Sequence, residues 1–258
     1  FRAAGNFFAV DRPRGNGQMG ADMQIGKMPE NALKRSVLRQ IRTKREEVLH
    51  GAGIGEDCAV FSFGEGSKMA ACMQEAMVAA HGEAVTGFES GERFLTMGDL
   101  IQKCANNLAA GGTWPVAATI ALLLPVHTQE PQVRALMAAA EEKCRELSME
   151  IAGGQTRTSA GILQPLAVVT AYGKVLRENG CSVKGARPGQ DIVLSKWIGL
   201  QGTALTARRH CRKLQERYPA YLVEEAMDFG RYLSVLPEVE IALEHGVCAM
   251  HDASEGGI

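Results

Sequence analysis

GDLIQKCANNLAAGGTWP, residues 98–115, is the stretch on which the fold turns. Apolar residues at 100, 101, 104, 105 and 108 recur at helical spacing, and the pair Gly111 and Gly112 ends the run. The spacing predicts a helix over 99–110. Asparagine is a mediocre helix former, so the adjacent amides Asn106 and Asn107 have work to do in a helix otherwise small and apolar; a buried hydrogen bond to backbone is the simplest candidate. Before the helix come two strand-like runs, 58–63 and 69–78, the first rich in β-prone residues. After it come a buried strand over 119–124, an Ala- and Glu-rich helix over 131–147, a short strand over 149–152, a turn at Gly153 and Gly154, and a strand over 166–172. Strands and helices alternate, which predicts an α+β or α/β domain.

Further out the pattern changes twice. Residues 1–22 mix Gly, Arg and aromatic residues without helical or alternating period, and read as a disordered leader or a mis-assigned extension upstream of Met23. Residues 31–41 place Leu33, Val37, Leu38 and Ile41 on one face of a short amphipathic helix. At the other end, NGCSVKGARPGQ (179–190) gathers turn-formers and marks a boundary. Beyond it the pattern predicts a strand over 191–195, a turn with Gly199 and Gly202, a helix over 203–216, a helical region over 219–245 and a strand over 248–250. The expected organisation is a leader over 1–22, a first domain over 23–180, and an incomplete α+β second domain over 181–258.

Composition excludes more than it assigns. The chain has 258 residues, with 28 basic against 29 acidic, so no global charge draws it to nucleic acid or an anionic membrane. Its seven cysteines are scattered, with no C-x-x-C pair, which points to reduced thiols and a cytoplasmic setting rather than a disulfide framework or a zinc knuckle. The longest apolar run, 116–126, is too short to span a bilayer, and no signal-peptide pattern opens the chain. The six histidines are dispersed, the basic run 208–213 reads as a solvated helix face, and Trp114 and Trp197 read as packing anchors.

Three further motifs could carry chemistry. In GIGEDCAV (53–60), Gly53 and Gly55 allow close backbone approach to a phosphate, while Glu56 and Asp57 offer hard oxygens suited to Mg²⁺; a tight turn with a solvated acidic pair is the alternative. In IAGGQTRT (151–158), the amides around Gly153, Gly154 and Thr156 form a strand-to-loop turn that could face a phosphate, or a plain β-turn. MHDASEGG (250–257) is another strand end with carboxylates beside glycines.

In this order and spacing, the four motifs resemble the aminoimidazole-ribonucleotide-synthase-like superfamily of ATP-binding proteins, nearest its hydrogenase-maturation-factor branch. Residues 55–57 look like the family's Gly-Asp-Asp turn, 106–109 like its Asn-Asp-Leu-Ala helix, 153–156 like its Gly-Gly-Asp-Thr turn, 184–193 like the start of its second domain, and 252–257 like its Asp-x-Thr/Ser-x-Gly-Gly segment. The resemblance implies an α+β first domain whose mixed sheet closes into a β-barrel across a homodimer. It also implies ATP sites with Mg²⁺, and phosphoryl transfer that activates an oxygen nucleophile on a small-molecule or protein-thiol substrate. On the same grounds Asp57, Glu56 and Glu75 are the metal-ligand candidates, and Gly53, Gly55, Asn106, Asn107, Gly153, Gly154 and Thr156 the nucleotide-binding candidates. Asn107 and Gln155 stand where the family has carboxylates; neutral amides can ligate a metal through oxygen but contribute no charge. Two other readings follow from the same pattern: a small-molecule kinase resembling thiamine-monophosphate kinase, and a non-catalytic nucleotide-binding scaffold.

Overall fold

The computed structural model describes residues 30, 31, 34, 48–50, 53–55, 59–62, 68–79, 94–176 and 180–254. The leader over 1–22, most of the helix expected over 31–41, and the acidic pair Glu56 and Asp57 lie outside them.

The helix that decides the fold is α1, Met97–Ala110. Thr96 caps it: its hydroxyl accepts from the Asp99 amide at 3.0 Å, and the Asp99 carboxylate accepts from the Thr96 amide at 3.3 Å, so two of the orphan donors of the first turn are satisfied. Leu100, Ile101, Cys104, Ala105 and Leu108 are fully buried. The chain leaves α1 through Gly112, whose φ of +73° favours glycine. It enters a strand at once, because the buried Thr113 hydroxyl donates back to the Leu108 carbonyl.

Among the described residues seven strands make one mixed sheet: β1 (Val48–His50), β2 (Ala59–Ser62), β3 (Lys68–Val78), β4 (Phe94–Leu95), β5 (Thr113–Leu124), β6 (Glu150–Thr158) and β7 (Leu166–Val175). The order is β1-β2-β3-β7-β5-β6, with the short β4 parallel to β3. Strand β5, helix α2 (Glu130–Glu146) and strand β6 form the one parallel crossover between long strands; the remaining long pairs are antiparallel. The fold is α+β, as the alternation predicts.

The sheet is two-faced by its period of two. On one face Ala118, Ile120, Leu122 and Leu124 of β5, Ala167, Val169 and Ala171 of β7, and Ala70 and Cys72 of β3 pack under α1 and α2. The opposite face carries Ala71, Met73, Glu75 and Met77 of β3, Leu166, Val168, Thr170 and Tyr172 of β7, and Thr119, Ala121 and Leu123 of β5, half-buried or exposed. Among the described residues no helix packs on that face.

After a 3-10 turn at Val183–Gly185 come α3 (Leu200–Arg209), α4 (Cys211–Gln215), α5 (Ala220–Met227), a 3-10 turn at Phe229–Tyr232, and α6 (Leu236–Glu244). Leu236 and Val239 of α6 join the core beneath α1.

Several expected boundaries move. The strand expected over 191–195 is irregular and exposed, with Ile192 94% and Val193 89% accessible; among the described residues no neighbouring strand takes up its backbone groups, and a β-prone run without a ladder partner is not a strand. Residues 248–250, also expected as a strand, are irregular for the same reason. The helix expected over 203–216 breaks at His210, whose φ of −116° is not helical. Trp197 does not anchor a core: it is 67% accessible and rests against Phe229 and Tyr232, with ring centroids 6.5 and 5.9 Å away.

Candidate functional site

The glycine pair of β6 is not a strand-to-loop turn. Strand β6 runs through it, parallel to β5, with Ile120 paired to Gly154 and a register shift between Ala118 and Thr119. A Cβ on Gly154 would lie 1.9 Å from the Ile120 carbonyl oxygen, so no side chain fits where the two backbones press together at the bulge. Gly153 differs: nothing lies within 4 Å of where its Cβ would be. Gly153, Gln155 and Thr156 are exposed on this outer strand, so an anion could reach the backbone beside Gly153.

The two asparagines of α1 face elsewhere. The side-chain nitrogen of Asn106 donates to the Leu233 carbonyl at 2.7 Å, and its oxygen accepts from Val235 N at 3.1 Å and from Gln102 Nε2 at 3.0 Å. Asn107 is 5% accessible, and its amide orientation follows from its neighbours: its nitrogen donates to Asp252 Oδ2 at 3.0 Å and to the Lys103 carbonyl at 3.1 Å, while its oxygen accepts from Gln74 Nε2 at 2.7 Å. Both amides are engaged by protein partners on their donor and their acceptor sides.

Glu75 stands one residue along β3 from Gln74 and so points through the other side of the sheet, where it is exposed. The register aligns Glu75 with Val168, Ala121 and Gln155 in a single row across β3, β7, β5 and β6. Three strand spacings separate Glu75 from Gln155, about 14 Å. Glu75 and Gln155 therefore share a face, Asn107 lies on the opposite one, and one metal ion cannot touch all three. Gly55, φ +75°, packs toward Val183 of the 3-10 turn, with its would-be Cβ 3.2 Å from that side chain. No group of three or more His, Cys, Asp or Glu side chains able to hold a metal occurs among the described residues. Among the described residues, then, no donor set fits the magnesium that the resemblance implies, and Glu56 and Asp57 lie outside them.

What the sequence reading missed is Asp252 as a partner of α1. It is 7% accessible, and its carboxylate also accepts from the Ser254 hydroxyl at 3.3 Å. The signal lay in Asn107 itself, since a buried amide on a helix demands partners on both its donor and acceptor sides. Among the thiols, burial first, then Glu141 and Cys104, push the fully buried Cys144 up to about 11.

Residues 55–175 match the family described as AIR synthase related protein, N-terminal domain. The thiamine-monophosphate kinase of Corynebacterium glutamicum is 30% identical over 111 residues, which are 43% of this chain and 33% of that enzyme. The structure of AaThiL complexed with AMPPCP and TMP superposes with a TM-score of 0.58 at 17% identity, covering 85% of this chain and 65% of that one. The hydrogenase maturation protein HypE of E. coli superposes with a TM-score of 0.54 at 16% identity, covering 75% of this chain and 56% of that one. At these identities the superpositions show a shared fold. The chain spans about a third of the curated relative's length and under two thirds of either solved chain. No helix among the described residues is long and apolar enough to cross a membrane.

Proposed function

From the premise that residues 55–175 are an AIR synthase related N-terminal domain, we propose that this chain is an ATP-binding protein, ancestrally a phosphotransferase, that holds the nucleotide with little turnover. The observation that carries this reading is the contrast on β6. Gly153 leaves its backbone open to an anion on an exposed strand, while the neighbouring position that the resemblance makes acidic is the neutral Gln155. The AMPPCP held by AaThiL, a nucleotide triphosphate analogue on the same fold, supports nucleotide as the ligand class. Gly53, Gly55 and Thr156 are assigned with Gly153 to the phosphates. Asn106 and Asn107 are engaged within the protein, so the phosphate contact passes from α1 to β6.

Phosphoryl transfer is mostly positioning and charge neutralisation, so a site short of carboxylates to hold Mg²⁺ is a poor catalyst even when ATP is bound. When bound, Mg²⁺ supplies neutralisation of the phosphate charge; Asp57 and Glu56 are the carboxylates still assigned to it. A second copy of the chain is proposed to cover the open sheet face, closing the barrel that the resemblance implies.

The 30% identity to a thiamine-monophosphate kinase favours a second reading, a working kinase. ADP release measured with Mg²⁺-ATP and thiamine monophosphate separates the two. The proposal expects release close to that of a no-acceptor control; sustained, acceptor-dependent turnover would replace it with the kinase.

A further inference from the structure

Helix α1 carries its polar residues Gln102, Lys103, Asn106 and Asn107 on one side, and that side is turned toward residues 233–252. Gln102, Lys103 and Asn107 are buried there, so each must find hydrogen-bond partners or cost stability. Asn106 grips the loop between the second 3-10 turn and α6, taking one donor and one acceptor from its backbone, at Val235 N and Leu233 O. Nineteen residues along from Leu233, Asp252 is gripped by Asn107, which is itself held to β3 through Gln74. Two adjacent side chains on one helix thus fasten two separated points of the later segment. Beside them Leu236 and Val239 complete the core, so the polar grip and the apolar contact act on the same stretch.

We propose that Asn106 and Asn107 form a two-point, metal-free clasp that docks residues 233–252 onto α1, and that position 107 has left the metal site to make it. The comparison of position 107 with a metal-binding carboxylate rests on the AIR synthase reading; the clasp does not. The chemistry requires an amide at 107, because the atom 3.0 Å from the Asp252 carboxylate must donate, and the atom 2.7 Å from Gln74 Nε2 must accept. A carboxylate at 107 would satisfy Gln74 but set a second negative oxygen against Asp252 in a buried place, a repulsion that a bound cation or a captured proton would have to relieve. The amide removes the need for either.

The test exchanges the two partners. Thermal unfolding of the wild type, Asn107→Asp, Asp252→Asn and the double variant is followed in EDTA and in Mg²⁺, with amide hydrogen exchange read over residues 233–252. The clasp expects wild-type exchange over residues 233–252 to be the same in both buffers. Asn107→Asp in EDTA should melt lower by about 5 °C or more, with faster exchange over 233–252. The double variant, which keeps one carboxylate and one amide in the pair with donor and acceptor reversed, should recover at least half of that loss. If Asn107→Asp does not fold, the double variant must still fold and melt within a few degrees of the wild type. A wild type whose exchange over 233–252 speeds up in EDTA, an Asn107→Asp variant as stable as wild type there, or a double variant no better than Asn107→Asp would each overturn the clasp. ATP affinity, titrated on the wild type, stands apart: if ATP does not bind while the exchange rescues, the functional reading falls and the clasp survives.

Discussion

Gly153 and Gly154 are adjacent in sequence and share a positive φ, +157° and +152°, but a side chain at each would meet different surroundings. At Gly154 a methyl group would be driven into the backbone carbonyl of Ile120, which cannot swing away as a side-chain tip could. Gly154→Ala should therefore cost about 2 kcal/mol or more in urea unfolding, by separating β5 from β6 on top of its backbone strain, whereas Gly153→Ala meets open space, carries only the strain of its φ of +157°, and should cost less. Equal losses would contradict this placement of the bulge. Cys144 offers a second test at this scale. Being buried and held up to about 11 from an ordinary 9.0, it should resist iodoacetamide at pH 8 while the exposed Cys248 reacts, as peptide mass spectrometry would show. The thiol's folded value is the higher one, so the unfolded chain loses its proton first. Stability should fall between about pH 9 and pH 11, and replacing Cys144 with Ala should make that fall shallower by up to about 2–3 kcal/mol.

Elements were legible where a single chain segment decides them. The spacing at 100, 101, 104, 105 and 108 is enough to predict α1, because a helix makes its hydrogen bonds within itself, and the capping pair Thr96 and Asp99 agrees with it. Strand β3 was equally plain, expected over 69–78 and found at Lys68–Val78. The run 191–195 is more apolar than β6, yet β6 is the strand, since it has β5 to pair with and 191–195 has no partner strand among the described residues. The β6 extension to Thr158 was hidden by its glycines, which read locally as a turn and mean a close parallel approach. The site divided in the same way. Glycines and amides could be picked out as candidate positions from residue type and order, but which face of the sheet each one meets is a matter of register. Glu75 and Gln74 are neighbours in sequence and look through opposite faces. The clasp at Asp252 depends on a contact 145 positions away from Asn107, beyond any local pattern.

At the scale of the whole molecule, one side of the sheet is covered by α1 and α2, and the other presents Met73, Val168, Thr170 and Ala121 without a covering element among the described residues. Exposed sheet surface of this kind invites association. Light scattering at micromolar concentration should give twice the chain mass, and Val168→Lys, which sets a charge in the middle strand of that face, should shift the protein to monomer. A wild type that is monomeric and soluble would count against the shared barrel. The proposed nucleotide binding belongs to the same scale, since it would draw on β6 and on the turn at Gly53 and Gly55, with neutral amides at 107 and 155. The most direct measurement is a calorimetric titration of the wild-type protein with ATP, once in Mg²⁺ and once in EDTA. Saturable binding is expected in both, with affinities within about tenfold, or 1.4 kcal/mol, because neutral amides stand at 107 and 155, where carboxylates would couple nucleotide to metal. No binding heat in either buffer, or binding that vanishes entirely in EDTA, would contradict it.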